Sequence, residues 1–373
     1  MVSKVSLVRC TDYSLAAESV RTSIDLIGGL SSIISKGDGV LLKPNILAAR
    51  RPEDAVTTHP AIVSAMCEMV REAGGIPKIG DGAGIAHPGA TAEAFTVSGI
   101  ETVAREQGVE LINFQTAGFE EVDVPGASRF PRLFVSKAVL DADVIISLPK
   151  LKTHELTYYT GAVKNMFGAL PLKTRREMHL LAERQLFGEA VIDLYTVARP
   201  HLAVMDGIVG MEGNGPSHGK PVQTGILLAS YDAVSLDIVA SGLIGLDPMT
   251  VPTTKAAVQR GFGSEEPVVV GMRPDEATMK YKPTNGGILF NFPPAITRFF
   301  GRYYTVRPRI DTSACILCGA CTLSCPVHAI ENVDGKLRIN SEKCILCYCC
   351  REMCPEDAVQ ADRSLLARIL ADA

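Results

Sequence analysis

The stretch Val144-Ile-Ile-Ser-Leu148, running directly into Pro149-Lys150-Leu151-Lys152-Thr153-His154, decides the fold class. Five consecutive residues that suit a strand interior give way without a spacer to lysines, a threonine and a histidine. A strand buried on both faces reads as a continuous apolar run, as in a parallel sheet covered by helices. The same grammar recurs along the chain. Gly39-Val-Leu-Leu42 runs into Lys43-Pro44-Asn45, Ile76-Pro-Lys-Ile79 into Gly80-Asp81-Gly82-Ala83-Gly84, and Leu202-Ala-Val-Met205 into Asp206-Gly207 and then Glu212-Gly213. Val5–Val8, Leu111–Phe114 and Ile226–Ala229 are further strand candidates. Amphipathic helical segments such as Pro60–Ala73 lie between them. Alternating strands and helices predict an α/β fold, a mainly parallel sheet with helices on both faces.

Ligands of open α/β sheets bind beyond the carboxyl ends of the strands. The polar residues that follow these strands are therefore the candidate site. Lys43, Asp81, Lys152 and His154 are the candidate catalytic groups. Asn45, Lys150, Lys164, Asn165, Asp206 and Glu212 are candidate substrate contacts. From Lys150 to Pro171, three lysines and a histidine share the segment with a single acid, Glu155. A solvated face mixes its charges, whereas converging Lys and His suit a carboxylate or phosphate, with His154 able to donate a proton. The glycines at 80–84 match neither a dinucleotide fingerprint nor a phosphate-binding loop.

The last quarter of the chain has a different character. Cys315-Ile-Leu-Cys318-Gly-Ala-Cys321-Thr-Leu-Ser-Cys325-Pro326 and Cys344-Ile-Leu-Cys347-Tyr-Cys349-Cys350-Arg-Glu-Met-Cys354-Pro355 are two copies of C-x2-C-x2-C-x3-C-P. Three thiolates on one loop bind three corners of an iron–sulfur cube, and the fourth comes from the other copy. Cys315, Cys318, Cys321 and Cys354 are thereby assigned to one 4Fe-4S cluster. Cys344, Cys347, Cys350 and Cys325 are assigned to the other. Structural zinc takes pairs of C-x2-C and leaves two full four-cysteine runs unexplained. Cys349 has no slot in the motif and reads as a bystander thiol, with substitution for Cys350 as the alternative.

The module resembles bacterial two-cluster ferredoxins over roughly residues 309–362, which implies low-potential electron transfer. Residues 1 to about 285 resemble the family labelled domain of unknown function 362. The matching features are Lys43-Pro-Asn45, Gly80-Asp81-Gly82, Pro149-Lys150-Leu-Lys152-Thr-His154, Thr160-Gly-Ala-Val-Lys164-Asn165 with Gly168, and Asp206-Gly with Glu212-Gly213. That resemblance implies a lobe similar in fold to lactate racemase, with a cleft between α/β lobes, and it establishes no activity. The expected organisation is an α/β domain at 1–285, a linker and docking segment at 286–308, a small α+β ferredoxin-like iron-sulfur domain at 309–362 and a tail at 363–373. The basic, aromatic run Arg298-Phe-Phe-Gly-Arg302-Tyr-Tyr-Thr-Val-Arg307-Pro-Arg309 is expected to dock the module on the α/β domain.

Composition narrows the function classes. A net charge of -4 and 6% aromatic residues without Trp argue against nucleic acid as a partner. No run approaches the ~20 apolar residues of a spanning helix, and the N-terminus has no secretory h-region, so the expectation is a cytoplasmic chain; its exposed clusters, which oxidise, imply an anaerobic or well-protected cytoplasm. The leading expectation is an iron-sulfur oxidoreductase passing electrons to a small anionic substrate or bound cofactor in the α/β cleft. An external low-potential donor or acceptor protein is its expected partner. A flavin or an additional metal leaves no motif either way. The competing expectations are an electron-transfer or assembly partner without its own substrate, and a non-redox isomerase or transferase with structural clusters.

Overall fold

The computed structural model describes residues 3–84, 89–181, 183–284 and 306–363. Ten described strands make the main sheet. They are β1 Lys4–Arg9, β2 Gly39–Pro44, β3 Ile76–Asp81, β4 Glu110–Asn113, then, beyond a separate hairpin of β5 Phe119–Asp123 and β6 Arg132–Ser136, β7 Val144–Leu148, β8 Lys150–His154, β9 Tyr158–Thr160, β10 Leu202–Glu212, β11 Lys220–Ser230 and β12 Val268–Gly271. The order is β12-β1-β11-β10-β7-β2-β3-β4, with β8 beside β10 and β9 beside β8. The β10-β7-β2-β3-β4 half is parallel throughout. The β1-β11-β10 part is antiparallel.

Side chains alternate between the two sheet faces, and the cores follow that alternation. Leu41, Ile145, Met205 and Leu228 face one core, which is covered by helices Arg184–Val197, Ala233–Leu243 and Pro252–Gln259. Val40, Leu42, Ile146, Val204 and Leu227 face the other, under helices Ala16–Asp25 and Pro60–Glu72. The expected double-sided α/β layering is present. Helix Pro60–Glu72 starts where the sequence says it should, with Pro60 at its first position and the His59 ring accepting from Ala61 N.

Two stretches differ from the sequence reading. The polar run after Leu148 is a strand, not a loop. Its register sets Asp206 opposite Lys150 and Met211 opposite Lys152 on β10, and His154 opposite Tyr158 on β9. Likewise β10 does not end at Met205 but continues to Glu212, held by antiparallel pairing with β11 from Ala203↔Ser230 to Glu212↔Lys220.

The cysteine module is a small α+β unit with the twofold character of its repeat. β13 Val306–Ile310 pairs with β16 Val359–Arg363, and β14 Ile330–Val333 with β15 Lys336–Ile339. Short helices Ala320–Ser324 and Cys349–Glu352 follow the two cysteine loops. Left-handed backbone recurs at matching places, at Leu317 and Leu346 and again at His328 and Asp357. Of the segment expected to dock the module, Arg298–Thr305 lies outside the described residues, and Arg307–Arg309 are built into β13.

Among the described residues, the module rests on the α/β domain mainly through the second cysteine repeat. Arg351 forms an ion pair with Glu155 where both side chains are buried. His218 Nε2 donates to the Arg351 carbonyl (2.7 Å), Ser217 Oγ to that of Glu352 (3.0 Å) and Arg50 to that of Pro355 (3.1 Å). Arg176 donates to the Leu323 carbonyl of the first repeat.

Candidate functional site: a basic cavity closed by the cysteine module

A cavity of about 110 Å³ lies where the carboxyl ends of β2 and β3, strand β8 and the segment Gly161–His179 meet the helix Cys349–Glu352. Its charged lining is lopsided. Among the described residues, Lys43, Lys152, Lys164, Arg175 and Arg176 face only Asp81 and Glu352.

Lys43 and Asp81 form a buried pair at 2.7 Å. Asp81 also accepts from Ile46 N (2.7 Å), so the loop after β2 is tied to the end of β3. Gly168 packs against this pair. A Cβ there would fall 2.2 Å from Asp81 Oδ1 and 2.8 Å from Lys43 Nζ, so only glycine admits the contact. Asn165 donates to the Lys43 carbonyl (3.0 Å) and to Ser147 Oγ (3.1 Å). Arg175 is spent on three carbonyls, those of Leu170, Ala83 and Gly168, and acts as a brace.

Lys152 and Lys164 are different. Lys152 donates one bond, to the Val56 carbonyl (2.7 Å). The Lys164 ammonium lies over the rings of Phe167 and Phe187, and no hydrogen bond to it occurs among the described residues. Burial pushes both lysines below their usual range, Lys152 furthest, and Lys164 adds repulsion on Lys152. Glu352 is the leading charge that opposes this in each case.

His154 Nδ1 accepts from Leu156 N (3.0 Å) and Thr157 N (3.3 Å), which assigns the proton of the neutral ring to Nε2. Burial, with the charges of Lys164 and Lys152, holds the ring well below the usual histidine range, so it is neutral. Nε2 stands 3.3 Å from Glu352 Oε1, within ion-pair range but misaligned for a hydrogen bond. Both atoms are buried without a hydrogen-bond partner, as is Asn45 Oδ1. Unmet buried polar atoms are costly, and three of them on one cavity mark the place where a ligand belongs.

Of the residues expected at the site, Lys43, Asn45, Asp81, Lys152, His154, Lys164 and Asn165 all line this cavity. Lys150, Asp206 and Glu212 do not. Lys150 and Asp206 pair with each other at 2.8 Å, capped by Tyr13, whose hydroxyl donates to Asp206 and accepts from Lys150. Glu212 accepts from Lys282 N. The pleat alone would set Lys150 and Lys152 on one face of β8; the break in its pairing with β10, whose partner moves from Asp206 to Met211, separates them. Sequence reasoning missed Arg175, Arg176 and His179, although Lys173-Thr-Arg-Arg176 is visibly basic. It also missed Glu352 and Cys349, which reach the cavity only through docking.

Cys315, Cys318, Cys321 and Cys354 surround one small cleft. Burial pushes the Cys321 thiol up, and Cys354, Cys318 and Cys315 act on it in the same direction. Cys344 is raised by burial and by Cys347 and Cys325. Ala329 N donates to Cys325 Sγ and Ala358 N to Cys354 Sγ, each at 3.2 Å, so the fourth cysteine of each repeat is held by the same N–H···S bond. No set of three or more His, Cys, Asp or Glu among the described residues closes around a single ion. Two quartets of soft thiol donors with matching N–H···S bonds fit iron–sulfur clusters.

Comparison with known proteins agrees with both halves. A family model described as domain of unknown function (DUF362) matches residues 40–242. A second, described as a 4Fe-4S dicluster domain, matches residues 307–355. The thylakoid-associated protein sll1697 of Synechocystis sp. is 36% identical over 266 residues, covering 70% of this chain and 81% of that protein. The lactate racemase apoprotein from Thermoanaerobacterium thermosaccharolyticum aligns with a TM-score of 0.41 and 14% identity, over 63% of this chain and 57% of that one. No helix among the described residues is long and apolar enough to cross a membrane.

Proposed function

The chain belongs to the DUF362 family, and on that footing we propose that it is an iron–sulfur oxidoreductase whose cysteine module exchanges electrons with a small anion held in the basic cavity. The observation that carries this reading is the wall shared by Lys152, Lys164 and His154, which faces Cys349 and Glu352 of the second cysteine repeat. Two 4Fe-4S clusters, held by Cys315, Cys318, Cys321 and Cys354 and by Cys344, Cys347, Cys350 and Cys325, would supply single electrons at low potential.

The chain's own residues do the rest. Lys152 and Lys164 lie close together away from bulk solvent and are short of negative charge, so an anion there relieves both desolvation and repulsion. His154 offers a neutral Nε2–H to an anion oxygen. The Lys43–Asp81 pair, braced by Asn165 and Arg175, fixes the floor beneath it. Covalent fusion of module and cavity keeps donor and acceptor adjacent without a separate encounter.

The test uses anaerobic protein reduced with dithionite and freed of excess. Pools of carboxylates and phosphates are added while cluster absorbance and EPR are followed. Rapid reoxidation by one pool supports the reading and exposes the substrate class. Reduced clusters that respond to no pool move the function to electron transfer between proteins without a substrate of its own.

A further inference from the structure

The two cysteine repeats differ in what covers them. In the second, Cys347, Cys349, Cys350 and Cys354 are buried, and the carbonyls of Arg351, Glu352 and Pro355 are engaged by the α/β domain. In the first, Cys318 is exposed, and the Ile316 and Leu317 beside it are 61% and 51% exposed. Leu323, on the helix that follows, is 50% exposed. Two large apolar side chains in water between two cysteines of one quartet are not needed to fill a core. The second repeat is closed over the cavity with Leu346 36% exposed, whereas Ile316 and Leu317 stand out beside Cys318 among the described residues; Leu323 lies nearer the α/β domain, its carbonyl accepting from Arg176.

We propose that the loop Cys315–Leu323 is the docking surface for a soluble one-electron carrier protein, an inference that rests on the redox reading of the cysteines above. The size of the patch selects this occupant. Three aliphatic side chains offer roughly a few hundred Å², well below the ~800 Å² per partner of a stable complex or dimer, but in the range of brief electron-transfer encounters. Apolar contact at the centre lets two redox proteins approach without water between them. Glu356, which borders the same cleft as Ile316 and Cys318, supplies a charged rim. The carrier loses one electron, the iron–sulfur group held by the first quartet gains it, and no proton is transferred. Electrons then have an outer port at the first repeat and an inner port at the second.

The experiment compares two reductants on the iron-loaded full chain. One is a photoreduced bacterial-type ferredoxin, the other dithionite. Ile316→Glu with Leu317→Glu, and separately Leu323→Glu, are measured beside wild type, with Val268→Glu on the distant edge strand as control. Only variants retaining full iron and an unchanged EPR spectrum are scored, and Leu323→Glu leaves both Cys-Ile-Leu-Cys loops untouched. The expected result is at least a tenfold slower reduction by ferredoxin, with dithionite reduction unchanged and the control normal. Equal rates with ferredoxin, or equal slowing with both reductants, overturns the proposal. So does a wild-type dimer in sedimentation that the variants dissociate, because the patch is then a contact between copies. Reoxidation by anions after dithionite reduction is read in the same samples, so failure of this port and failure of the cavity are told apart.

Discussion

Oε1 of Glu352 stands 3.3 Å from Nε2 of His154, and neither atom has a hydrogen-bond partner. One residue belongs to the helix that carries Cys349 and Cys350, the other to the strand that supplies Lys152. The contact therefore joins the cysteine module to the basic wall. It is an incomplete contact, and a ligand that reaches both atoms would complete it.

The cysteine assignment predicts paired losses. Cys321→Ser and Cys354→Ser should each remove about half of the iron and leave the same residual EPR signal. Cys325→Ser and Cys350→Ser should leave the complementary signal, because each quartet draws its fourth thiolate from the other repeat. Cys349→Ser should retain all the iron. Iron and sulfide analysis of the five variants checks this.

The Lys43–Asp81 pair should be costly to break. Asp81→Ala leaves a buried ammonium without its partner, a change worth about 3–5 kcal/mol in comparable buried pairs. Gly168→Ala should destabilise as well, since the added methyl falls 2.2 Å from Asp81 Oδ1. Urea unfolding midpoints for the two variants give the comparison.

Anion binding should take up protons. Burial lowers the proton affinity of Lys152 and Lys164, and an anion beside them raises it again. Binding is then tighter as pH falls through the lowered lysine range, and its calorimetric heat depends on the buffer's ionisation enthalpy. Lys164→Met should weaken binding about tenfold, or about 1.4 kcal/mol, and abolish part of the proton uptake.

Acid should weaken the fold through His179. Burial among Phe167 and Phe187 pushes this imidazole down to about 4. As pH falls from about 6.5 towards 4, the unfolded chain takes a proton that the folded chain refuses, so stability is lost across that window. A fully buried group with this shift contributes on the order of 3 kcal/mol. His154, shifted the same way, adds to the loss. His179→Asn should flatten the profile between about pH 6.5 and 4, measured by urea unfolding.

How much of this was legible in the sequence depends on the kind of residue. Strands β2 and β7 were readable because burial on both faces leaves an apolar run, and the polar residues at and just beyond the ends of β2 and β3 do line the cavity. Strand β8 was not, because Lys150-Leu-Lys-Thr-His154 reads as a converging cluster of ligand groups until its strand partners are known. Lys150 is satisfied by Asp206 and Lys152 by the Val56 carbonyl, contacts of 56 and 96 residues' separation. For the same reason Lys150 and Asp206 read as ligand contacts while they are partners of each other. The 4Fe-4S character of the cysteine repeat was legible because its spacing is local. Cys349 and Glu352 were not legible as cavity residues, because their place depends on how one unit packs on another.

The most direct test is a single-turnover experiment with the anion that reoxidises the reduced wild-type protein. Reoxidation is followed by stopped flow in wild type and in Lys152→Met/Lys164→Met, after both are shown to hold equal iron and to give the same EPR spectrum. The account predicts that the double variant keeps its clusters reduced while wild type turns over. Equal reoxidation rates in the two proteins would contradict it, because the electrons would then reach their acceptor without the cavity.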